Sequence, residues 1–172
     1  EDGEEQVYRL HSIPETVDQV YLLGGRMPQQ PDEWLADGSR ANDSILGTQF
    51  ILSDTNDQET LDSISETVFT VVGYVSTPLY MDMTRGTTTL GNGTVSSYVY
   101  LPREAFDVDY YTQINVTLKG DFAIYSEEFK NAMTEMAETL PNSGGALGWI
   151  VGNNDMDDFG AKLESFGKSI VA

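Results

Sequence analysis

The apolar residues of this chain keep two different rhythms, and the change between them limits the fold more than any other feature. From Gln6 to Leu118 the strongest segments alternate with a period of two. From Phe129 the apolar positions Phe129, Met133, Met136 and Leu140 are spaced four, three and four. Alternation marks half-buried strands, and the longer spacing marks one face of an α-helix. A chain that does both in blocks, without regular strand–helix–strand alternation or internal repeats, belongs to the α+β class. The expectation is a mixed or antiparallel sheet with β-hairpins and a few amphipathic helices.

Along the chain, Gln6–Ile13 (QVYRLHSI) reads as a strand, Pro14–Gln19 as a helical turn, and Val20–Leu23 as a short apolar run stopped by Gly24-Gly25. Arg26–Trp34 carries two prolines and reads as a turn-rich link across which Arg26 is placed to pair with Glu33. Residues 35–44 read as loop, Ile45–Leu52 as a short strand, and 53–66 as loop or a short exposed helix. Val68–Val75 (VFTVVGYV) is the best strand, rich in β-branched and aromatic residues. Thr87–Leu90 and Thr94–Leu101 flank Asn92-Gly93, a dipeptide suited to a type I′ turn, so a hairpin is expected there. Gln113–Leu118 reads as a strand. Ser126 is placed to cap the helix that follows, and Pro141 to stop it. Gly148–Val151 reads as a strand, and Asp155–Phe166 as a helix whose apolar spacing extends to Ile170. The whole reads as one α+β domain with room for two lobes, residues 20–110 mostly β and 111–172 strand-helix-strand-helix.

Composition removes several classes of function. There are 172 residues, no Cys and one His, with 9 basic against 28 acidic side chains, a net charge of −19. A chain this long buries roughly two thirds of its unfolded surface and needs no disulfide or metal staple. Without Cys it has no thiol nucleophile, zinc-thiolate site or redox dithiol. Its charge opposes nucleic acid and anionic membrane surfaces. No run reaches the roughly 18 apolar residues of a membrane span, and no leader is visible. The chain reads as a segment of something longer. Abundant Gly, Asn, Ser and Thr with scarce Lys fits an extracytoplasmic module.

The individual motifs give little chemistry. Gly167-Lys168-Ser169 resembles the end of a phosphate loop, but Lys162 stands where that motif needs Gly. Asn153, Asn154, Asp155, Asp157 and Asp158 lack EF-hand spacing and read as helix capping. Asp54, Asn56 and Glu59 make a weaker case still. His11 has no marked partner and reads as structural. No catalytic, cofactor or metal site is assigned. Tyr74, Tyr80, Met81, Met83, Tyr98 and Tyr100 read as core and hairpin packing. Within Leu79–Arg85, the residues Leu79, Tyr80, Met81 and Met83 form the best candidate contact surface.

The order of several short motifs resembles the extracytoplasmic domains of FtsX-like (MacB-type) ABC transporter permeases, in their long-insert Gram-positive form. Leu23-Gly24-Gly25-Arg26-Met27-Pro28 followed by Asp32-Glu33 is similar to that family's G-R-x-P…(D/N)-E segment. Ile45–Phe50, Phe69–Val75 and Tyr98–Phe106 resemble its next strands, the last written a-Y-v-P-k-e-a-F. Ser76–Tyr80, Arg85–Thr87 and Gly91–Gly93 resemble the long-insert members, and Ile114–Gly120 the strand after them. The resemblance covers residues 7–172. One departure stands out: where such members run into a coiled-coil arm, Pro141–Gly145 closes the gap, either because this member lacks the arm or because a Ser-Gly-Gly splice replaces it.

The resemblance implies a MacB periplasmic-core-like fold on the outer side of a Gram-positive cell membrane, tethered by membrane helices at both ends. It implies a cytosolic ATP-binding-cassette subunit, a second permease subunit, and an extracellular protein, peptide or lipid as partners. ATP hydrolysis would reside in the separate cytosolic subunit. The body would transmit motion rather than make bonds, with Phe159, Leu163 and Phe166 as the coupling helix. A free-standing cell-surface binding or adhesion module is the other expectation.

Overall fold

The computed structural model describes residues 6–39, 41–81, 83–109, 112, 118–123, 125–139 and 170–171. The chain forms two compact units, Glu1–Thr112 with Gly167–Ala172, and Gln113–Phe166. The first holds a mixed sheet of seven strands: β1 (Val7–Ser12), β2 (Tyr21–Gly25), β3 (Glu33–Asp37), β4 (Gln49–Ile51), β5 (Val68–Ser76), β6 (Ser97–Leu101) and β7 (Ile170–Val171). Helix α1 (Gln58–Asp62) accompanies it. The second unit contains helix α2 (Glu127–Thr139). The fold is α+β.

The strand order is β2-β5-β3-β6-β1-β7, with β4 also on β5. Strands β2 and β4 share one edge of β5: Tyr21–Gly25 runs beside Gly73–Ser76, and Gln49–Ile51 beside Val68–Thr70. Two pairings are parallel, β3 with β5 and β1 with β6. At the far side, β1 takes β7 antiparallel, Val7 opposite Val171 and Tyr8 opposite Ile170.

Both faces of this sheet are covered, and alternate side chains divide between two clusters. Trp34 and Ala36 of β3, Phe69 and Val71 of β5, and Val99 and Leu101 of β6 pack with Tyr8, Leu52, Ile64 and Ala105. Leu35, Val75, Tyr98 and Tyr100 form the other cluster, against Ile13, Val20, Leu22 and Tyr80. A strand buried on both sides loses its alternation, as SYVYL illustrates, whereas β5 alternates strictly between buried and less buried residues.

Several expectations change. Residues 35–37 are not loop: they complete β3, in the middle of the sheet. Asp37 hid that strand, because a carboxylate at its end reads as solvent exposure. The Asn92-Gly93 turn closes a single antiparallel bridge, Thr87 with Thr94, rather than a ladder. Strand β6 pairs instead with β1 and β3, where its apolar residues gain two neighbours. Pro14–Gln19 is not helical but a run of bends, with Asp18 at φ 55°. Ile170 lies in a strand, not on a helix. The Gly24-Gly25 pair does not stop β2, which runs through it. Gly25 takes φ 75°, and a Cβ there would lie 2.3 Å from the Val72 carbonyl oxygen. Gly73, opposite it, is needed for close approach, since a Cβ would lie 2.5 Å from the Arg26 carbonyl oxygen. Helix α2 starts as expected, with Ser126 Oγ accepting from the Phe129 N–H at 3.1 Å. The strands expected at 113–118 and 148–151, the helix at 155–166 and the splice at 141–145 fall wholly or mainly outside the described residues.

Candidate functional site

On the face of the sheet that carries Tyr98 and Tyr100, a polar cluster ties the Thr77–Arg85 segment to three strands. Period-two geometry puts Arg9 and His11 of β1 on one side, as it does Tyr98 and Tyr100 of β6. Asp37 ends β3. The chain leaves β5 at Ser76, and Thr77 caps a 3₁₀ turn, Pro78–Tyr80, by accepting from the Leu79 N–H. The buried Thr77 also receives the Tyr100 hydroxyl at 3.1 Å.

At the centre is an ion pair whose side chains are each 2% exposed: Arg85 Nε donates to Asp37 Oδ2 at 2.7 Å. Arg85 Nη2 donates to Ser39 Oγ at 2.7 Å, the Ser39 N–H to Asp37 Oδ1 at 2.9 Å, and Ser97 Oγ to Asp37 Oδ2 at 3.3 Å. The guanidinium lies 5.1 Å from the Tyr98 ring centre and 5.5 Å from that of Tyr80. Those two rings stack at 4.2 Å and 8°. His11 stacks on Tyr100 at 5.2 Å, and its Nε2 is hydrogen-bonded to the Tyr80 hydroxyl at 2.8 Å. The result is an aromatic and cationic sandwich in which charge, ring faces and hydroxyls are all used.

Burial sets the protonation states. It pulls His11 down to about 4, with the nearby Arg9 charge acting in the same direction, so the imidazole is neutral. It pushes Tyr100 up to about 12, and raises Tyr80 and Tyr98 as well. Burial also pushes Asp37 up, but hydrogen bonds from Arg85 and Ser39 outweigh it and hold the carboxyl below its usual range. At neutral pH the cluster therefore holds protonated phenols, a neutral imidazole and a carboxylate committed to Arg85. Such groups fasten a loop in place.

The fastened segment carries the contact residues read from the sequence. Leu79, Met81 and Met83 stand out in solvent, Met81 at 92% exposure. Tyr80 departs from them: it is half-buried and turned into the stack. Tyr74 sits elsewhere, its hydroxyl donating to Asp43 Oδ1 at 2.9 Å. Phe159, Leu163 and Phe166 lie outside the described residues, as do Asn153–Asp158. Asn56 reaches back to the Ser53 carbonyl, ordinary turn chemistry. Among the described residues, no group of three or more acidic or histidine side chains is arranged to hold a metal ion, and no helix is long and apolar enough to cross a membrane.

Sequence reasoning missed Asp37, Arg85 and the partner of His11. The pair is 48 residues apart, and each member sits in a locally polar stretch. Comparison with protein-family models, with curated proteins and with solved structures finds no match.

Proposed function

We propose that this chain is the extracytoplasmic domain of an FtsX-like ABC permease subunit, a body that passes motion between membrane helices and a partner outside the cell. The observation that carries this reading is the antiparallel pairing of β1 with β7, Val7 beside Val171. Segments from opposite ends of the numbering leave the sheet side by side, as suits a body held by two neighbouring helices. Strand β1 also carries His11, so a pull on it reaches the Tyr80 anchor of the exposed loop directly, through the 2.8 Å hydrogen bond between His11 Nε2 and the Tyr80 hydroxyl. Leu79, Met81 and Met83 then form the surface offered to an extracellular protein, peptide or lipid. The ordered motif set is consistent with this arrangement, since Phe69–Val75 and Tyr98–Phe106 supply its central strands β5 and β6 with the turn after them. In this reading the motor is a cytosolic ATP-binding-cassette subunit, and a second permease subunit completes the assembly. The coupling role assigned to Phe159, Leu163 and Phe166 passes in part to β1 and β7.

The test uses the parent polypeptide in its host. The chain has no Cys, so Met81→Cys adds a reporter to this domain. A membrane-impermeant maleimide is expected to label it in intact cells, and the polypeptide to resist alkaline carbonate extraction and co-purify with an ATP-hydrolysing subunit. Labelling only after lysis overturns an outer location. Labelling in intact cells with release by carbonate overturns the permease reading in favour of a free-standing surface module.

A further inference from the structure

We propose that Asn92 is a self-modifying site: its side-chain carboxamide closes on the Gly93 peptide nitrogen to a succinimide, which water opens to aspartate or isoaspartate. Asn92-Gly93 is the one Asn-Gly step in the chain. Asn92 stands exposed in the turn closed by the Thr87–Thr94 bridge. Glycine favours the reaction because the attacking nitrogen belongs to a residue without a Cβ. Gly93 takes φ 85°, and the nearest atom to where a Cβ would stand is the Thr88 carbonyl oxygen, 3.8 Å away.

The turn also prepares the reacting carbonyl. Asn92 Oδ1 accepts from the Thr94 N–H at 3.0 Å and from Thr94 Oγ1 at 2.6 Å, which folds the carboxamide forward along the Gly93 peptide. As the Gly93 nitrogen gives up its proton and bonds to Asn92 Cγ, negative charge gathers on Oδ1, where both donors already point. The carboxamide C–N bond then breaks, and its –NH2 leaves with that proton as ammonia. Water adds either at Cγ, giving aspartate, or at the Asn92 main-chain carbonyl carbon, giving isoaspartate. Both products add a negative charge, and isoaspartate also inserts a methylene into the main chain. The bond from the Gly93 N–H to the Leu90 oxygen, at 3.0 Å, opens during the attack, and the one from the Thr88 N–H to the Gly93 oxygen, at 3.1 Å, is misaligned by the longer chain.

Asn42 supplies the internal comparison. It is also exposed, and its Oδ1 accepts from the Ser44 N–H at 2.9 Å and from Ser44 Oγ at 2.6 Å, the same two-donor pattern. The residue after it, however, is Asp43, whose carboxylate receives the Tyr74 hydroxyl. A Cβ and a negative charge beside the nitrogen oppose both its approach and the loss of its proton. The donor pattern alone is therefore not sufficient, and the glycine selects Asn92. This inference is independent of the permease reading, since it concerns the main-chain chemistry of one turn.

The experiment incubates the full chain in mildly alkaline buffer at physiological temperature and follows each asparagine by mass spectrometry of its peptide, with isoaspartate read by enzymatic methylation. Asn92 is expected to convert at least about tenfold faster than Asn42, and part of the product to accept methyl groups. Thr94→Val keeps the N–H donor and removes the hydroxyl, so it is expected to slow conversion of Asn92 by about threefold or more in the folded chain. In concentrated urea, where the turn is lost, Thr94→Val and the parent chain should convert at the same rate. Asn92 staying intact, or Asn42 converting as fast, overturns the proposal. So does an unchanged folded-state rate in Thr94→Val, or a difference between the two chains that persists in urea.

Discussion

Two arginine–carboxylate pairs in the first unit use the same chemistry in opposite surroundings. Arg26 and Glu33 meet across the Pro-rich turn between β2 and β3. Arg26 Nη1 donates to Glu33 Oε2 at 2.8 Å, Nη2 donates to Oε1, and the Gln29 N–H adds a bond to Oε2 at 2.7 Å. The guanidinium is half in water. Arg85 and Asp37 meet through a single Nε–Oδ2 contact across 48 residues, both out of solvent. By bond count the outer pair looks stronger. Its members, however, would be solvated without each other, so the pair adds little beyond local order. The inner pair has replaced water with protein on every side, and neither member tolerates loss of the other. Surroundings, more than the number of contacts, decide what a charge pair does for the fold.

The sharpest way to break this contrast is to remove one inner partner. Asp37→Ala removes the carboxylate that the buried Arg85 guanidinium meets and is expected to cost about 3–5 kcal/mol in urea unfolding. The double variant Asp37→Leu with Arg85→Met removes both charges and should recover much of that loss. If the double variant is no more stable than the single one, the cost lies in packing against Tyr80 and Tyr98 rather than in stranded charge. Hydrogen exchange across Thr77–Arg85 should accelerate in Asp37→Ala, because Arg85 is what holds the end of that segment.

His11 sharpens the same contrast through pH. Burial, aided by Arg9, holds its imidazole at about 4 in the folded chain against 6.5 when solvated. The unfolded chain therefore binds more protons between those values, and stability falls as pH drops through that window. Above pH 6.5 the contribution is fully present. The shift corresponds to an upper figure of about 3 kcal/mol by pH 4. His11→Gln should flatten the slope between pH 6.5 and 4 while leaving the decline at lower pH. A slope that persists unchanged would place the acid sensitivity on carboxylates instead.

These two regions also mark what the sequence makes legible. The Arg26–Glu33 pair was readable because two prolines force a turn and bring residues seven apart together. The best strand, Val68–Ser76, and helix α2 declared themselves by period and cap. Strand β3 did not: it has five residues, begins with Glu33 and ends in Asp37, and only tertiary burial makes a strand of it. The inner cluster was illegible for the same reason. Arg9, His11, Asp37, Tyr80 and Arg85 come from three separated segments, and their meeting depends on the parallel pairing of β1 with β6 and the antiparallel pairing of β6 with β3. Alternation specifies a face but not a neighbour, so a sequence reading finds hairpins more readily than crossovers. The Asn92-Gly93 turn exemplifies this bias, since its flanking strand Ser97–Leu101 takes partners far along the chain. Trp34 was likewise placed in a link, and its burial among Tyr8, Phe50 and Phe69 became apparent only in the fold.

The smallest expected effect belongs to the outer pair, and it tests the contrast from the other side. The Arg26 hydrogen bonds, followed by the Gln29 N–H, hold the Glu33 carboxyl at about 2, against 4.5 in the free side chain. Its stabilisation is present above pH 4.5 and is lost as pH falls toward 2, a window below that of His11. Arg26→Ala should raise the carboxyl toward, without reaching, its ordinary value, since the Gln29 N–H remains 2.7 Å from Oε2. Carboxyl ¹³C titration reads this directly. Molar salt should move the wild-type value in the same direction, because the guanidinium is accessible to counter-ions. At pH 7 the urea midpoint of Arg26→Ala should fall only slightly, because the partner charges are screened by solvent. If Arg26→Ala instead destabilises the chain as much as Asp37→Ala, solvent exposure does not separate the two pairs. The turn between β2 and β3 would then depend on its charges for closure, rather than on its prolines and on Gly25 at positive φ.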